Sequence, residues 1–199
     1  MISIDILPDD VLLAIFYFYV DEASEIAHSK ESVEEWQSPV HVCQRWRSIV
    51  FGSPRRFNLR LGCTPKTPTR DLLNIWPALP LLIWGDDHYY LAESMDNISA
   101  VLEHSDRIRY IHLPSSYLEN SSATMQVPFP ELTVLELYSN GKWMPVLPNS
   151  FLGGSALHLQ SLTLKGIPFP GLPKLLCLPL TSPSFAFMIF PMPGTFLPR

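Results

Sequence analysis

The chain has 199 residues, 47% of them hydrophobic, and a formal net charge of −5. That length allows one or two small domains with a real core, and the apolar content excludes disorder throughout. The negative balance argues against an electrostatic nucleic-acid binder, so no nucleic acid is expected among the partners.

Pro8 can open a helix, because its missing N–H costs nothing in a first turn. Asp9 and Asp10 then lie where the helix dipole favours negative charge. Val11, Leu12, Ile15, Phe16 and Tyr19 follow as one broad apolar stripe on a helix of about three turns. Residues 21–35 are acidic and polar and read as a short solvated helix. Ser38 and Pro39 are a second start signal, Ser38 as N-cap and Pro39 at the first helical position. That helix is expected to run to Phe51, with Gly52 in the left-handed C′ position and Pro54 blocking continuation. Val42, Cys43, Trp46, Ile49 and Val50 share one of its faces, and Arg45 and Arg47 are expected to be solvated.

Phe57 to Leu61 alternates apolar and polar residues and reads as a strand. Thr64 to Pro68 is a loop, Arg70 to Trp76 a helix that Pro77 ends, and Leu79 to Trp84 a buried strand. Asn97 to Glu103, with Ile98, Val101 and Leu102, reads as a helix. A repeat follows. Ile108-Arg109-Tyr110-Ile111-His112-Leu113, Leu132-Thr133-Val134-Leu135-Glu136-Leu137 and Leu159-Gln160-Ser161-Leu162-Thr163-Leu164 share a Leu-x-x-Leu-x-Leu form. Their starts are 24 and 27 residues apart, a spacing within the leucine-rich-repeat range. In such a repeat these strings are strands lining a concave sheet. The exposed positions, Arg109, Tyr110, His112, Thr133, Val134, Glu136, Gln160, Ser161 and Thr163, are the candidate target-binding face.

All 19 acidic residues lie at or before Glu136, and beyond Lys165 the only charges are Lys174 and Arg199. Pro168 to Arg199 carries eight prolines, too closely spaced for a spanning helix of about 20 residues. This segment is expected to be a disordered apolar tail or a frameshifted or truncated repeat. A one-frame shift of the codons permitted for Leu176 to Arg199 can restore a further string of the same form. Cys43, Cys63 and Cys177 are an odd number at wide spacing, neither a disulfide framework nor a metal pair. A reducing compartment fits them, and Met1 to Asp5 lacks the features of a signal peptide. The expected location is the cytoplasm or nucleus, with no membrane attachment.

Catalytic motifs are weak. Asp86-Asp87-His88 and Glu103-His104-Ser105-Asp106 place acids beside histidine, but adjacent residues rarely converge on one ligand. Gly153-Gly154-Ser155 lacks the frame of a nucleophile elbow, and no phosphate loop or metal spacing is present. Trp76, Trp84 and Trp143 read as core or repeat-edge residues. No enzyme activity, cofactor or metal is expected.

The opening Leu7-Pro8-Asp9-Asp10-Val11-Leu12-Leu13-Ala14-Ile15-Phe16 and the close Val42-Cys43-Gln44-Arg45-Trp46-Arg47 resemble the two halves of an F-box. The stretch from Trp36 to Leu61 is similar to the F-box-like proteins numerous in mushroom-forming fungi, which continue into irregular leucine-rich repeats. The acidic stretch from Asp21 to Trp36 lengthens the spacing by about ten residues, an insertion that costs little loop entropy. The resemblance implies an α+β chain in three parts. An F-box-like helical domain would span 3–56, a short, incomplete leucine-rich-repeat horseshoe 57–166, and the tail 167–199. It also implies a substrate-recognition adaptor of a cullin-RING ubiquitin ligase, with the ligase adaptor subunit, its cullin and an unknown target protein as partners. Leu7, Pro8, Val11, Leu12, Ile15, Phe16, Val42, Cys43 and Trp46 would make or support the contact with the ligase. The alternatives are an interaction module outside any ligase and a truncated, non-functional product.

Overall fold

The computed structural model describes residues 6–24, 37–53, 59–85, 92–117, 124–139, 147–148, 150–154 and 156–167. The chain divides into two compact units, Met1–Gly62 and Cys63–Arg199. The solvated helix expected at 21–35 lies mostly outside the described residues, as do Pro54, Asp86-Asp87-His88, Trp143, Ser155, Cys177 and the tail from 168 onward.

In the first unit, α1 spans Asp9–Ser24, and the Pro8 carbonyl accepts the amides of Val11 and Leu12 at 3.1 Å each. Proline thus serves as the cap, one position earlier than expected. The helix is longer than the apolar stripe foretells and takes in Asp21 and Glu22. The single helix expected from Pro39 to Phe51 is instead two pieces, α2 (Gln37–Val40) and α3 (Gln44–Phe51). Cys43 between them is extended, at φ −158° and ψ 169°. The side chain of Arg47 donates to the Val40 carbonyl at 3.2 Å, which in a continuous helix would receive the amide of residue 44. Gly52 is right-handed, at φ −67°, so it does not take the left-handed cap conformation.

In the second part of the chain the strands are β1 (Leu61–Cys63), β2 (Leu81–Trp84), β3 (Ile108–Pro114), β4 (Val134–Tyr138) and β5 (Ser161–Lys165). They form one sheet in the order β1-β2-β3-β4-β5, and β2 to β5 pair in parallel. Parallel neighbours need crossovers, and helical segments supply them. The helix α4 (Thr69–Ile75) joins β1 to β2, and α5 (Ala92–Leu102) joins β2 to β3. Short 3-10 turns, Thr124–Gln126 and Phe151–Gly154, lie in the last two connections.

These features correct the expected fold class. The architecture is α/β, a sheet of parallel strands alternating with helices and turns, not α+β with an F-box-like module and a short horseshoe. Two of the five strands, β1 and β2, come from outside the three repeated strings. Among the described residues of the first unit nothing identifies an F-box helical module: the helix expected from Pro39 to Phe51 is broken where the Arg47 side chain takes a backbone carbonyl. Of the strand expected at Phe57 to Leu61, Phe57 and Asn58 lie outside the described residues, Leu59 and Arg60 are not strand, and β1 begins at Leu61.

Register decides what is buried. Ile83, Ile111, Leu135 and Leu162 are partners across four strands, and Leu113, Leu137 and Leu164 form the next row. All seven are buried. Beneath them α5 contributes Ile98, Val101 and Leu102, each fully buried. Each such side chain contributes roughly 1.5–3 kcal/mol. The two 3-10 turns touch one another, and at Gly153 (φ +67°) an added Cβ would lie 2.7 Å from the Pro128 nitrogen. Leu152 beside it is also left-handed, at φ 54°. That conformation costs a non-glycine residue about 1–2 kcal/mol, and burial of the Leu152 side chain offsets it.

Ile111→Ala is expected to destabilise the chain by about 2–5 kcal/mol, the usual cost of emptying a buried aliphatic site. Gly153→Ala should also destabilise, by at least about 1 kcal/mol, since it adds both backbone strain and overlap. Denaturant midpoints at an unchanged slope test both. Cys63 is fully buried, and burial, partly countered by Arg107, pushes its thiol up to about 12. Mass-mapped alkylation of the native chain should therefore label the exposed Cys43 and spare Cys63 until unfolding.

Candidate functional site

Two surfaces carry the sequence-nominated residues, one on each unit. On the first, α1 and α3 are tied by Phe16 and Trp46, whose rings lie 4.7 Å apart. Arg45 donates to Asp9 Oδ1 at 2.6 Å and to the Leu7 carbonyl at 2.6 Å. Arg45 is therefore a partly buried link between the helices, not the solvated side chain its position foretells. The pair is half exposed, so its own contribution is of the order of 1 kcal/mol or less.

This arrangement splits the apolar stripe of α1. Leu12 and Phe16 are buried. Val11, Ile15 and Phe18, at i, i+4 and i+7, remain 39%, 45% and 75% exposed and share one face of the helix. Leu7 and Trp46 are half-buried, and Pro8, Val42 and Cys43 are exposed. Of the nine nominated residues, Leu12 and Phe16 thus hold the unit together and Val11, Ile15 and Val42 face outward. Phe18, the most exposed of the large hydrophobic residues described on the helix, was missed because it is not part of the stripe as read from Val11, Leu12, Ile15, Phe16 and Tyr19. A recess of about 600 Å³ lies at the break between α2 and α3, lined by Val40, Cys43, Arg47 and Phe51 among others.

On the second unit, the open face of the sheet follows from the same register that builds the core. Trp84, His112, Glu136 and Thr163 form one row, and Leu82, Tyr110, Val134 and Ser161 another. Trp84 and Tyr110 meet at 5.5 Å between ring centres, and His112 and Tyr138 at 5.0 Å. Glu136 Oε2 lies 2.8 Å from His112 Nδ1 and accepts the Tyr110 hydroxyl at 3.4 Å. An ionised carboxylate can only accept, so Nδ1 carries the proton in this pair. Tyr138 donates to the Gly85 carbonyl at 3.0 Å.

Tyr110, His112, Glu136 and Thr163 therefore come together on the open face. Arg109, Thr133 and Gln160 do not: each sits one residue back, at the leading edge of its strand. There Thr133 bonds the Arg109 carbonyl through both its amide and its hydroxyl, at 2.9 Å each, and the Gln160 amide bonds Thr133. Arg109 pairs with Glu131 at 3.4 Å. Sequence reasoning missed Trp84 and Tyr138 as members of the face. For Tyr138 the signal was present, because it continues the alternation of Val134 and Glu136 by one step. For Trp84 it was not, since Leu81 to Trp84 is uniformly apolar.

The second acid–histidine string does not converge on a site. His104 is half-buried in the turn after α5 and Glu103 is exposed. Among the described residues no group of three or more His, Cys, Asp or Glu could hold a metal. No helix among them is long and apolar enough to cross a membrane. No family model, curated protein or solved structure matches the chain.

Burial raises the Tyr110 hydroxyl to about 12, and the neighbouring Glu136 charge and hydrogen bond add to the shift. An alkaline difference titration of the native chain against Tyr110→Phe should show that phenolate forming near 12. Glu136→Gln should lower the midpoint only part of the way to 10.0, since burial is the larger cause. Between these values the unfolded tyrosine ionises first, so stability should fall as pH rises from 10 to 12.

Proposed function

We propose that the chain is a non-catalytic adaptor that brings a target protein to a ubiquitin ligase. In this reading the outer face of α1 meets the ligase adaptor subunit, which carries the cullin, and the open sheet face meets the target. The mechanism is proximity: holding both partners raises the effective concentration of target lysines near the transferred ubiquitin. No residue of the chain takes part in bond making. The chain would work in the cytoplasm or nucleus, where such ligases act.

The observation that carries the reading is the surplus apolar stripe of Val11, Ile15 and Phe18. It occupies the same helix whose Leu-Pro opening resembles an F-box, while the inner edge of that helix is used within its own unit. A contiguous apolar patch on a surface otherwise rich in polar groups marks a contact site. The ligase as the partner rests on the sequence resemblance alone.

Co-purification of the tagged full chain with the adaptor subunit and cullin tests the proposal. Phe18→Asp is the main variant, because that side chain is 75% exposed, and Ile15→Asp, at 45% exposure, is the second. Each should reduce capture by about tenfold or more, the loss expected when a charge enters an apolar contact, while circular dichroism stays unchanged. Native protein that captures neither subunit would place the chain outside any ligase, as an interaction module of another kind.

A further inference from the structure

The polar face of the sheet carries a charge with one side unused. Glu136 spends Oε2 on His112 and Tyr110, and among the described residues Oε1 accepts no hydrogen bond. The side chain is 34% exposed, so solvent and ligands reach it. A carboxylate offers about four lone-pair sites, and at most two are used here.

Its neighbours fix what chemistry fits. Val134 and Tyr138 flank it along β4. On β5 its register partner is Thr163, half exposed, with a small hydroxyl side chain. Tyr138 presents a ring fixed by its bond to Gly85 and by its contact with His112. A half-exposed carboxylate with an unused oxygen is complementary to a cationic donor. Lys165 lies one row away, is exposed, and makes no ion pair with Glu136 among the described residues. The chain's own nearby cation therefore leaves the position open. Arg109 of β3 is held by Glu131 at the leading edge.

We propose that the open sheet face seats a basic side chain of a bound polypeptide on Glu136 Oε1 beside Thr163. The proposal rests on the reading of this face as the target-binding surface and adds the chemistry of the target: an exposed basic segment. Acidic segments are excluded by Glu136 itself.

The test uses the full chain and three capped peptides of equal length, arginine–glycine, glutamine–glycine and glutamate–glycine, at physiological ionic strength. The arginine peptide should bind and the glutamate peptide should not. Glu136→Gln should weaken arginine-peptide binding about tenfold or more, whereas Glu131→Gln, which removes an equal charge at the leading edge, should leave it nearly unchanged. Thr163→Arg is the second variant. It leaves Glu136 in place and supplies a guanidinium from the same molecule, so it should abolish peptide binding without loss of stability. Equal losses in the two glutamate variants would reduce the effect to net charge and overturn the proposal, as would binding that survives Thr163→Arg. Binding of the glutamine or glutamate peptide at this face would overturn the cation preference while leaving a target surface. Failure of all three peptides would overturn the cation preference and count against the target-binding role of the face as well.

Discussion

The parallel ladder from β2 to β5, in phase from Leu82 onward after a register shift between Leu81 and Leu82, is the constraint on which the rest of the second unit depends. Ile83, Ile111, Leu135 and Leu162 stand side by side, so every second residue on each strand enters one buried layer. The same spacing sends Trp84, His112, Glu136 and Thr163 to the opposite surface. A slip of one residue in any strand would exchange the two sets. Core and candidate binding face are therefore one decision: burying the aliphatic row is what gathers the polar row. The ladder continues one residue past the ends of β2, β3 and β4, where the Gly85 amide bonds the His112 carbonyl, that of Ser115 the Tyr138 carbonyl and that of Ser139 the Lys165 carbonyl.

The first unit works by a different economy. Its two main helices share a small contact, Phe16 against Trp46, supplemented by the half-exposed Asp9–Arg45 link. The helices are short and amphipathic, and helices of this length draw most of their stability from side-chain contact. Among the described side chains of α1, the Leu12 and Phe16 edge is satisfied in this way, which leaves the edge of Val11, Ile15 and Phe18 as exposed hydrocarbon.

Legibility from sequence followed the range of the forces involved. Strings with strict alternation, at Ile111 and Leu113 or Leu135 and Leu137, revealed both the strands and their outward residues, because one local pattern reports burial. The helices α4 and α5 were visible in part. α4 runs over Thr69–Ile75, near the expected Arg70 to Trp76. α5 begins at Ala92, five residues before the expected Asn97, because Ile98, Val101 and Leu102 mark only its C-terminal half. Three features were not visible, each of them set by partners distant in the chain. The break at His41 to Cys43 depends on Arg47 reaching back to Val40. The half-burial of Arg45 depends on Asp9, 36 residues earlier. The membership of Trp84 in the polar face depends on which neighbour β2 acquires. The fold class was misjudged because the F-box resemblance weighted the helices, while strands β1 and β2 added to the sheet from outside the repeated strings.

The hydroxyl of Tyr138 reaches from β4 to the Gly85 carbonyl at the end of β2, two strands away. Its register partner on the intervening strand is Pro114. Such a tether settles the orientation of the ring before anything arrives. Freezing a mobile side chain on association commonly costs about 0.5–1.5 kcal/mol, and here that entropy has already been surrendered during folding. A visitor to this face would meet a rigid aromatic wall, so its own flexibility, rather than the host's, would set the penalty for docking.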